Sequence, residues 1–234
     1  IASFRKKAEK WKNALPKPRN ISGKLSGNTV NVKMKICNIF SAGEQDCTSA
    51  DVRRADMNIA ADKGFLLASA LGVTPDIVVG DFDSLGEPPE NLRIIRHPVQ
   101  KDDTDTMLAV RTALSCGCDT FYLYGCTGGR LDHTLANLQT LHFIADNGGR
   151  GVIVGKQCAA VVKNGSLSFA ENAEGYISVF ALAGKAEGVT LKGLFYTLEN
   201  AELLSDFPLG TSNEFIGKRA EISVENGYLT VLWS

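Results

Sequence analysis

Apolar residues come first in short unbroken runs and later in alternation, with helical spacing confined to stretches between the early runs. Lys35–Phe40, Met57–Ala61, Ile77–Val79, Arg93–His97, Thr120–Tyr124 and Val152–Val154 read as strands. Short strands that are apolar on both faces suit a parallel sheet buried on both sides. Between them, Gly64–Leu71, Thr104–Ser115 and Leu131–Asn147 read as helices. Met107, Val110 and Leu114 recur on one helical face, and Leu135, Leu138, Leu141 and Ile144 on another. This alternation predicts an α/β fold with a mostly parallel, Rossmann-like sheet covered by helices. In such sheets ligands bind beyond the carboxyl ends of the strands.

Near residue 156 the pattern changes. The runs AAVVKNGSLSF, YISVFAL, GVTLKGLFYTL and AEISVENGYLTVLW are short β stretches broken by turn residues. Asn164-Gly165 and Asn226-Gly227 are tight-hairpin signals. The expectation is an α/β domain over 34–156 followed by an all-β antiparallel sandwich over 157–234. Residues 1–33 stand apart, holding nine of the 25 Lys/Arg and one of the 26 Asp/Glu. Pro16, Pro18 and the run ISGKLSGN break off a short basic helix over Ser3–Leu15, so a mobile extension is expected.

Charge then narrows the function. The body that follows the leader is acidic, which argues against a broad nucleic-acid surface and suits a chain that gathers a metal ion. Six cysteines without paired CxxC spacing read as buried thiols in a reducing compartment. No apolar run approaches the ~18–20 residues of a membrane span. The leader lacks the apolar core of a secretory signal. A soluble cytoplasmic protein is expected, with neither membrane nor nucleic acid as partner.

Three polar clusters lie at expected strand ends. Gly80-Asp81-Phe82-Asp83-Ser84 comes at the end of an apolar strand; residues two apart along a continuing strand point the same way, so Asp81 and Asp83 are expected to converge on one cation. Hard carboxylate oxygens suit Mg²⁺, which completes its shell with phosphate and water. In Lys101–Thr106, KDDTDT, helix capping explains one or two polar residues but not Asp102, Asp103, Thr104, Asp105 and Thr106 together. In Gly125–Asn137, GCTGGRLDHTLAN, Gly128 and Gly129 let backbone amides approach an anion, and Arg130 adds a fork of donors. His133 and Asn137 share a helix face with Arg130. There is no GxxxxGK[ST], so the chain is not a P-loop enzyme. Together the clusters imply a Mg²⁺–polyphosphate ligand.

In this order and spacing the motifs resemble the thiamine pyrophosphokinase (thiamine diphosphokinase) family. The motifs are Ala61-Asp62-Lys63-Gly64, Gly80–Ser84, Lys101–Thr106, Gly128–Asn137 and Ser212-Asn213-Glu214-Phe215. The resemblance covers Met34 to Ser234 and departs at Lys63, where the family usually has Gly. It implies an α/β nucleotide domain followed by a β-sandwich, working as a homodimer with thiamine bound between subunits. It also implies pyrophosphoryl transfer from ATP to the hydroxyethyl oxygen of thiamine, giving thiamine diphosphate and AMP, with Mg²⁺ as cofactor.

By matching position, Asp81, Asp83 and Asp105 would hold the metal and triphosphate. Asp62, Asp102, Thr104, Gly128, Gly129, Arg130, Asp132 and His133 would complete the ATP pocket. Asp105 or Asp132 would accept the hydroxyl proton. Ser212, Asn213 and Phe215 would hold thiamine, although Phe215 reads equally well as a sandwich-core aromatic. Asp81-Phe82-Asp83 also mimics the nucleophile motif of a HAD-type phosphatase, but Leu85 stands where that motif has Thr or Val. A ligand sensor without turnover and a pyrophosphokinase acting on another alcohol, such as a pterin, are the further alternatives.

Overall fold

The computed structural model describes residues 24–25, 28–29, 34–80, 92–96 and 103–234. Its first half is built from β1 (Ile36–Phe40), β2 (Met57–Ala61), β3 (Ile77–Gly80), β4 (Arg93–Arg96), β5 (Thr120–Tyr124) and β6 (Arg150–Val154). The helices are α1 (Gly64–Ala70), α2 (Asp105–Ser115) and α3 (Leu131–Asp146). The six strands pair in parallel in the order β6-β5-β1-β2-β3-β4. From β1 the chain steps outward to β4, then returns to the other side of β1 with β5. The carboxyl ends of β1 and β5 therefore flank the point where the winding reverses, the place where open parallel sheets form a crevice.

Alternation along each strand separates two apolar layers. Phe40, Tyr122 and Tyr124 pack with Leu67 and Ala68 of α1 and with Leu71, which caps it. Cys37, Ile39, Phe121 and Leu123 pack with Leu108, Ala109, Val110 and Ala113 of α2 and with Leu141 and Ile144 of α3. Each fully buried large side chain contributes about 1.5–3 kcal/mol, so both faces hold the sheet. The apolar row expected along α3 is shorter than its spacing implies. Leu138 packs against the core, but Leu135 is 53% exposed, because the first turns of α3 lie at the carboxyl edge of the sheet.

The second half contains β7 (Cys158–Phe169), β8 (Tyr176–Phe180), β9 (Lys185–Lys192), β10 (Leu198–Leu204), β11 (Gly210–Glu214) and β12 (Ala220–Trp233). These strands pair antiparallel. β7 also pairs with β6 through Val152↔Ala160 and Ile153↔Ala159, so the hydrogen-bonded sheet continues across residues 155–157. The apolar layer on the α1 side continues too, into Val162, Phe169, Ile177 and Trp233.

The two Asn-Gly pairs do not turn the chain. Asn164-Gly165 lies inside β7 and Asn226-Gly227 inside β12, where the register between the two strands shifts from Val224↔Gly165 to Tyr228↔Lys163. Asn164 has φ 44° and Gly227 φ 102°, and the Gly227 amide donates to Asn164 Oδ1 at 2.9 Å. A bulge needs a positive φ as a hairpin does, and Asn and Gly supply it in both. The basic leader lies outside the described residues, apart from a two-rung ladder of Lys24–Leu25 with Asn28–Thr29.

All six cysteines are free thiols. Among the described residues no helix is long and apolar enough to cross a membrane.

Candidate active site

At the switch point the β1–β5 ladder runs on past the strands. Ser41 N donates to Tyr124 O at 2.8 Å, Gly43 N to Gly125 O at 2.8 Å and Glu44 N to Thr127 O at 3.3 Å. The loop after β1 therefore lies alongside the loop after β5. A cavity of about 550 Å³ opens over them. Its charged and polar walls include Glu44, Asp62, Lys63, Asp105, Arg130 and His133.

Each wall has a local cause. Asp62 follows the last residue of β2 and adopts φ 46°, with its amide donating to Val79 O of β3 at 2.8 Å. Lys63, the departure from the family pattern, has φ −58° and ψ −11°, a conformation open to any residue. The steric demand falls one position later: a Cβ on Gly64 would lie 1.9 Å from Phe40 O. Lys63 thus costs no backbone strain, and its exposed side chain lines the cavity.

Thr104 caps α2, its hydroxyl accepting from Met107 N at 3.2 Å, and this sets Asp105 in the first turn facing the cavity. Beneath it, Thr106 and Ser41 share a buried hydroxyl–hydroxyl hydrogen bond of 2.8 Å, and the Cys126 thiol donates to Ser41 Oγ at 3.3 Å. Burial pushes the Cys126 thiol up to about 12, so it stays protonated and belongs to the floor rather than to the chemistry.

Gly128 and Gly129 have φ 81° and 61° and line the cavity. The turn is held from three sides. Thr127 Oγ1 donates to Asp46 Oδ2 at 3.0 Å, Gly129 N to Glu44 Oε1 at 3.0 Å, and buried Asn137 donates through Nδ2 to Cys126 O at 2.9 Å. Asn137 is thus a clamp on the turn. Replacing it with Ala should lower stability by about 1–3 kcal/mol, the cost of stripping a buried carbonyl of its donor. Urea unfolding reads this, and an unchanged midpoint would deny Asn137 that duty.

Arg130 precedes α3 and grips Asp132 through both ends of its fork, Nε to Oδ1 at 3.1 Å and Nη2 to Oδ2 at 2.6 Å. The guanidinium holds the Asp132 carboxyl below the usual carboxylate range. Arg130 and His133 line the cavity, whereas Asp132 does not. Asp81, Asp83 and Asp102 lie outside the described residues, as does Lys101. Among the described residues no group of three His, Cys, Asp or Glu side chains converges as metal ligands.

The last motif sits on β11, away from this cavity. Ser212 has φ 58° and its amide donates to Ser178 Oγ at 3.0 Å. Asn213 is buried; its Oδ1 accepts from Tyr196 N and Glu214 N, both at 2.9 Å, and its Nδ2 donates to Tyr196 O at 2.7 Å. Asn213 therefore fixes the Phe195-Tyr196 segment, whose rings are 62% and 60% exposed. Phe215 is partly buried against the core, its ring centroid 5.0 Å from that of Phe169.

Sequence reasoning missed the Ser41–Asp46 loop. It carries no motif, yet it follows the carboxyl end of a central strand, and that position was the available signal.

Comparison with known proteins gives the family. The thiamin pyrophosphokinase catalytic-domain model matches residues 50–152, and the thiamin pyrophosphokinase vitamin B1 binding-domain model matches residues 166–229. The thiamine pyrophosphokinase of Bacillus subtilis (strain 168) is 29% identical, with 86% of this chain and 99% of that protein covered. The crystal structure of the B. subtilis thiamine pyrophosphokinase gives a TM-score of 0.77 at 27% identity, covering 86% of this chain and 99% of that one. The structure of thiamin pyrophosphokinase from Geobacillus thermodenitrificans gives 0.72 at 26% identity, covering 85% and 97%. The chain belongs to the thiamine pyrophosphokinase family, enzymes that form thiamine diphosphate from thiamine.

Proposed function

We propose that this protein transfers the pyrophosphoryl group of ATP to the hydroxyethyl oxygen of thiamine, giving thiamine diphosphate and AMP. The observation that carries the reading is the cavity at the switch point, where Asp62, Asp105, Arg130, His133 and the Gly128-Gly129 backbone meet. Backbone amides of the turn and a guanidinium suit a polyphosphate, and carboxylates in the same wall suit the cation that accompanies it. Lys63 adds a second positive charge to the wall.

The hard-oxygen donor set fits Mg²⁺, and Asp81, Asp83 and Asp105 are the residues that would hold it. Bound there, it would neutralise charge on the phosphates. The chain's own part is mainly positioning, since phosphoryl transfer has little covalent chemistry for a protein to perform. Asp62 and Thr104 border the phosphate path, where Asp102 would join them, while Gly128, Gly129, Arg130 and His133 orient the triphosphate. The thiamine oxygen then attacks the β-phosphorus, a new P–O bond forms, and the bond to the α-phosphate oxygen breaks to release AMP. Asp105 lines the cavity and Asp132 does not, so Asp105 is assigned as acceptor of the hydroxyl proton.

In this reading residues 34–156 form the nucleotide domain, and 157–234 bind thiamine and dimerise. Ser212 and Phe215 contact thiamine, and Asn213 contributes by holding Tyr196. Exposed Tyr176, Phe195, Tyr196, Phe207 and Leu209 support a homodimer with the thiamine site at the subunit interface. The same reading places the enzyme in the cytoplasm.

The test is incubation of the protein with thiamine, ATP and Mg²⁺, with thiamine diphosphate and AMP quantified together. Equal yields of the two are expected, and omission of Mg²⁺ should abolish both. ADP or free phosphate in place of AMP would overturn pyrophosphoryl transfer.

A further inference from the structure

Glu44 sits where an anionic ligand would be expected. Its Oε1 accepts the Gly129 amide at 3.0 Å, and its side chain lies so close over Gly128 that a Cβ there would meet its carboxyl at 2.8 Å. The residue is exposed, lines the cavity and forms no ion pair among the described residues. The Gly129 amide of the Gly-rich turn is therefore already satisfied, by a carboxylate of the same chain.

That side chain is one of three holds on the turn, and the others remain without it. Backbone bonds from Gly43 to Gly125 and from Glu44 to Thr127 hold the two loops together, and Asp46 and Asn137 grip Thr127 and Cys126 independently. A carboxylate left on a donor that suits phosphate acts on affinity instead. Like charges a few ångströms apart repel appreciably at a protein surface.

We infer that Glu44 is an internal competitor for the anion position, bound to the Gly129 amide in the empty site and displaced by the polyphosphate of the substrate. It thereby sets the affinity for that ligand below what the bare turn would give. The inference rests on the proposed reading of the cavity as the triphosphate site. A strap that shapes the turn would have the opposite sign on removal.

Calorimetric titration of metal-free ATP, in the presence of EDTA, into wild type, Glu44→Gln and Glu44→Ala separates these roles. Glu44→Ala is expected to bind about 10-fold tighter than wild type, equivalent to about 1.4 kcal/mol. Glu44→Gln, which keeps the shape and loses the charge, should fall between. Inorganic pyrophosphate should show the same order. Unchanged or weaker binding by Glu44→Ala would overturn the competitor role. A wild-type protein that binds neither ATP nor pyrophosphate would remove the triphosphate reading itself, and the inference with it.

Discussion

Asp105→Asn is expected to yield a folded protein whose kcat is lower by about 10²–10³-fold, comparable to the loss of one preorganised group that stabilises transition-state charge. The fold should survive because Asn is nearly isosteric and the cap on α2 comes from Thr104, not from Asp105. Turnover should fall because the first turn of α2 carries this carboxylate into the cavity, opposite Arg130 and the Gly128-Gly129 turn. A neutral amide there offers the metal a weaker ligand and the hydroxyl proton no acceptor. The two roles separate in one further measurement. If Asp105 is a metal ligand, the Mg²⁺ concentration giving half-maximal rate rises about tenfold or more, the cost of weakening one ligand or its supporting partner being about 10–100-fold in affinity. If it serves only as proton acceptor, the Mg²⁺ dependence stays put while kcat falls. Full activity in the variant would remove Asp105 from the site.

Asp105 was legible because its motif combines charge with a helix start, and a capped first turn has few places to point. The parallel strands were legible for a similar reason: runs such as Ile77–Val79 and Thr120–Tyr124 bury both faces, so no register could hide them. What the pattern of residues left out was carried by backbone geometry. The loop Ser41–Asp46 joins the site through main-chain hydrogen bonds that any residues could make, and Ser41, Glu44 and Asp46 add side chains to it. Asn164-Gly165 and Asn226-Gly227 misled because a positive φ is needed equally in a hairpin and in a bulge, and pairing between β7 and β12 decides which forms. Asn137 and Asn213 carry the complementary lesson. Both stand in motifs that read as ligand-binding, and both direct their side chains to backbone groups of the loops that bear other candidate residues.

Gly64→Ala should be the most destabilising single substitution near the cavity, by about 3 kcal/mol or more, beyond the usual range for a point change. Helix propensity predicts the reverse, since Ala in place of Gly favours a helix by about 1 kcal/mol. Sterics decide the sign here. A Cβ at position 64 would lie 1.9 Å from Phe40 O, 2.5 Å from Phe40 C and 2.9 Å from Ser41 N, all of them backbone atoms. Those atoms belong to the end of β1, which is paired on both sides by β2 and β5 and cannot yield. Helix α1 would have to lift away, exposing Leu67, Ala68 and Leu71, all now buried on the sheet. Asp62 and Lys63 immediately precede the helix and would move with it, so the cavity should lose its wall along with the stability. Urea unfolding and the thiamine diphosphate assay therefore should fail together. Ala70→Gly, at an exposed position of the same helix, isolates propensity and should cost only about 1 kcal/mol without loss of turnover. A Gly64→Ala protein as stable as wild type would mean that α1 does not rest on the end of β1, and the placement of Asp62 in the site would go with it.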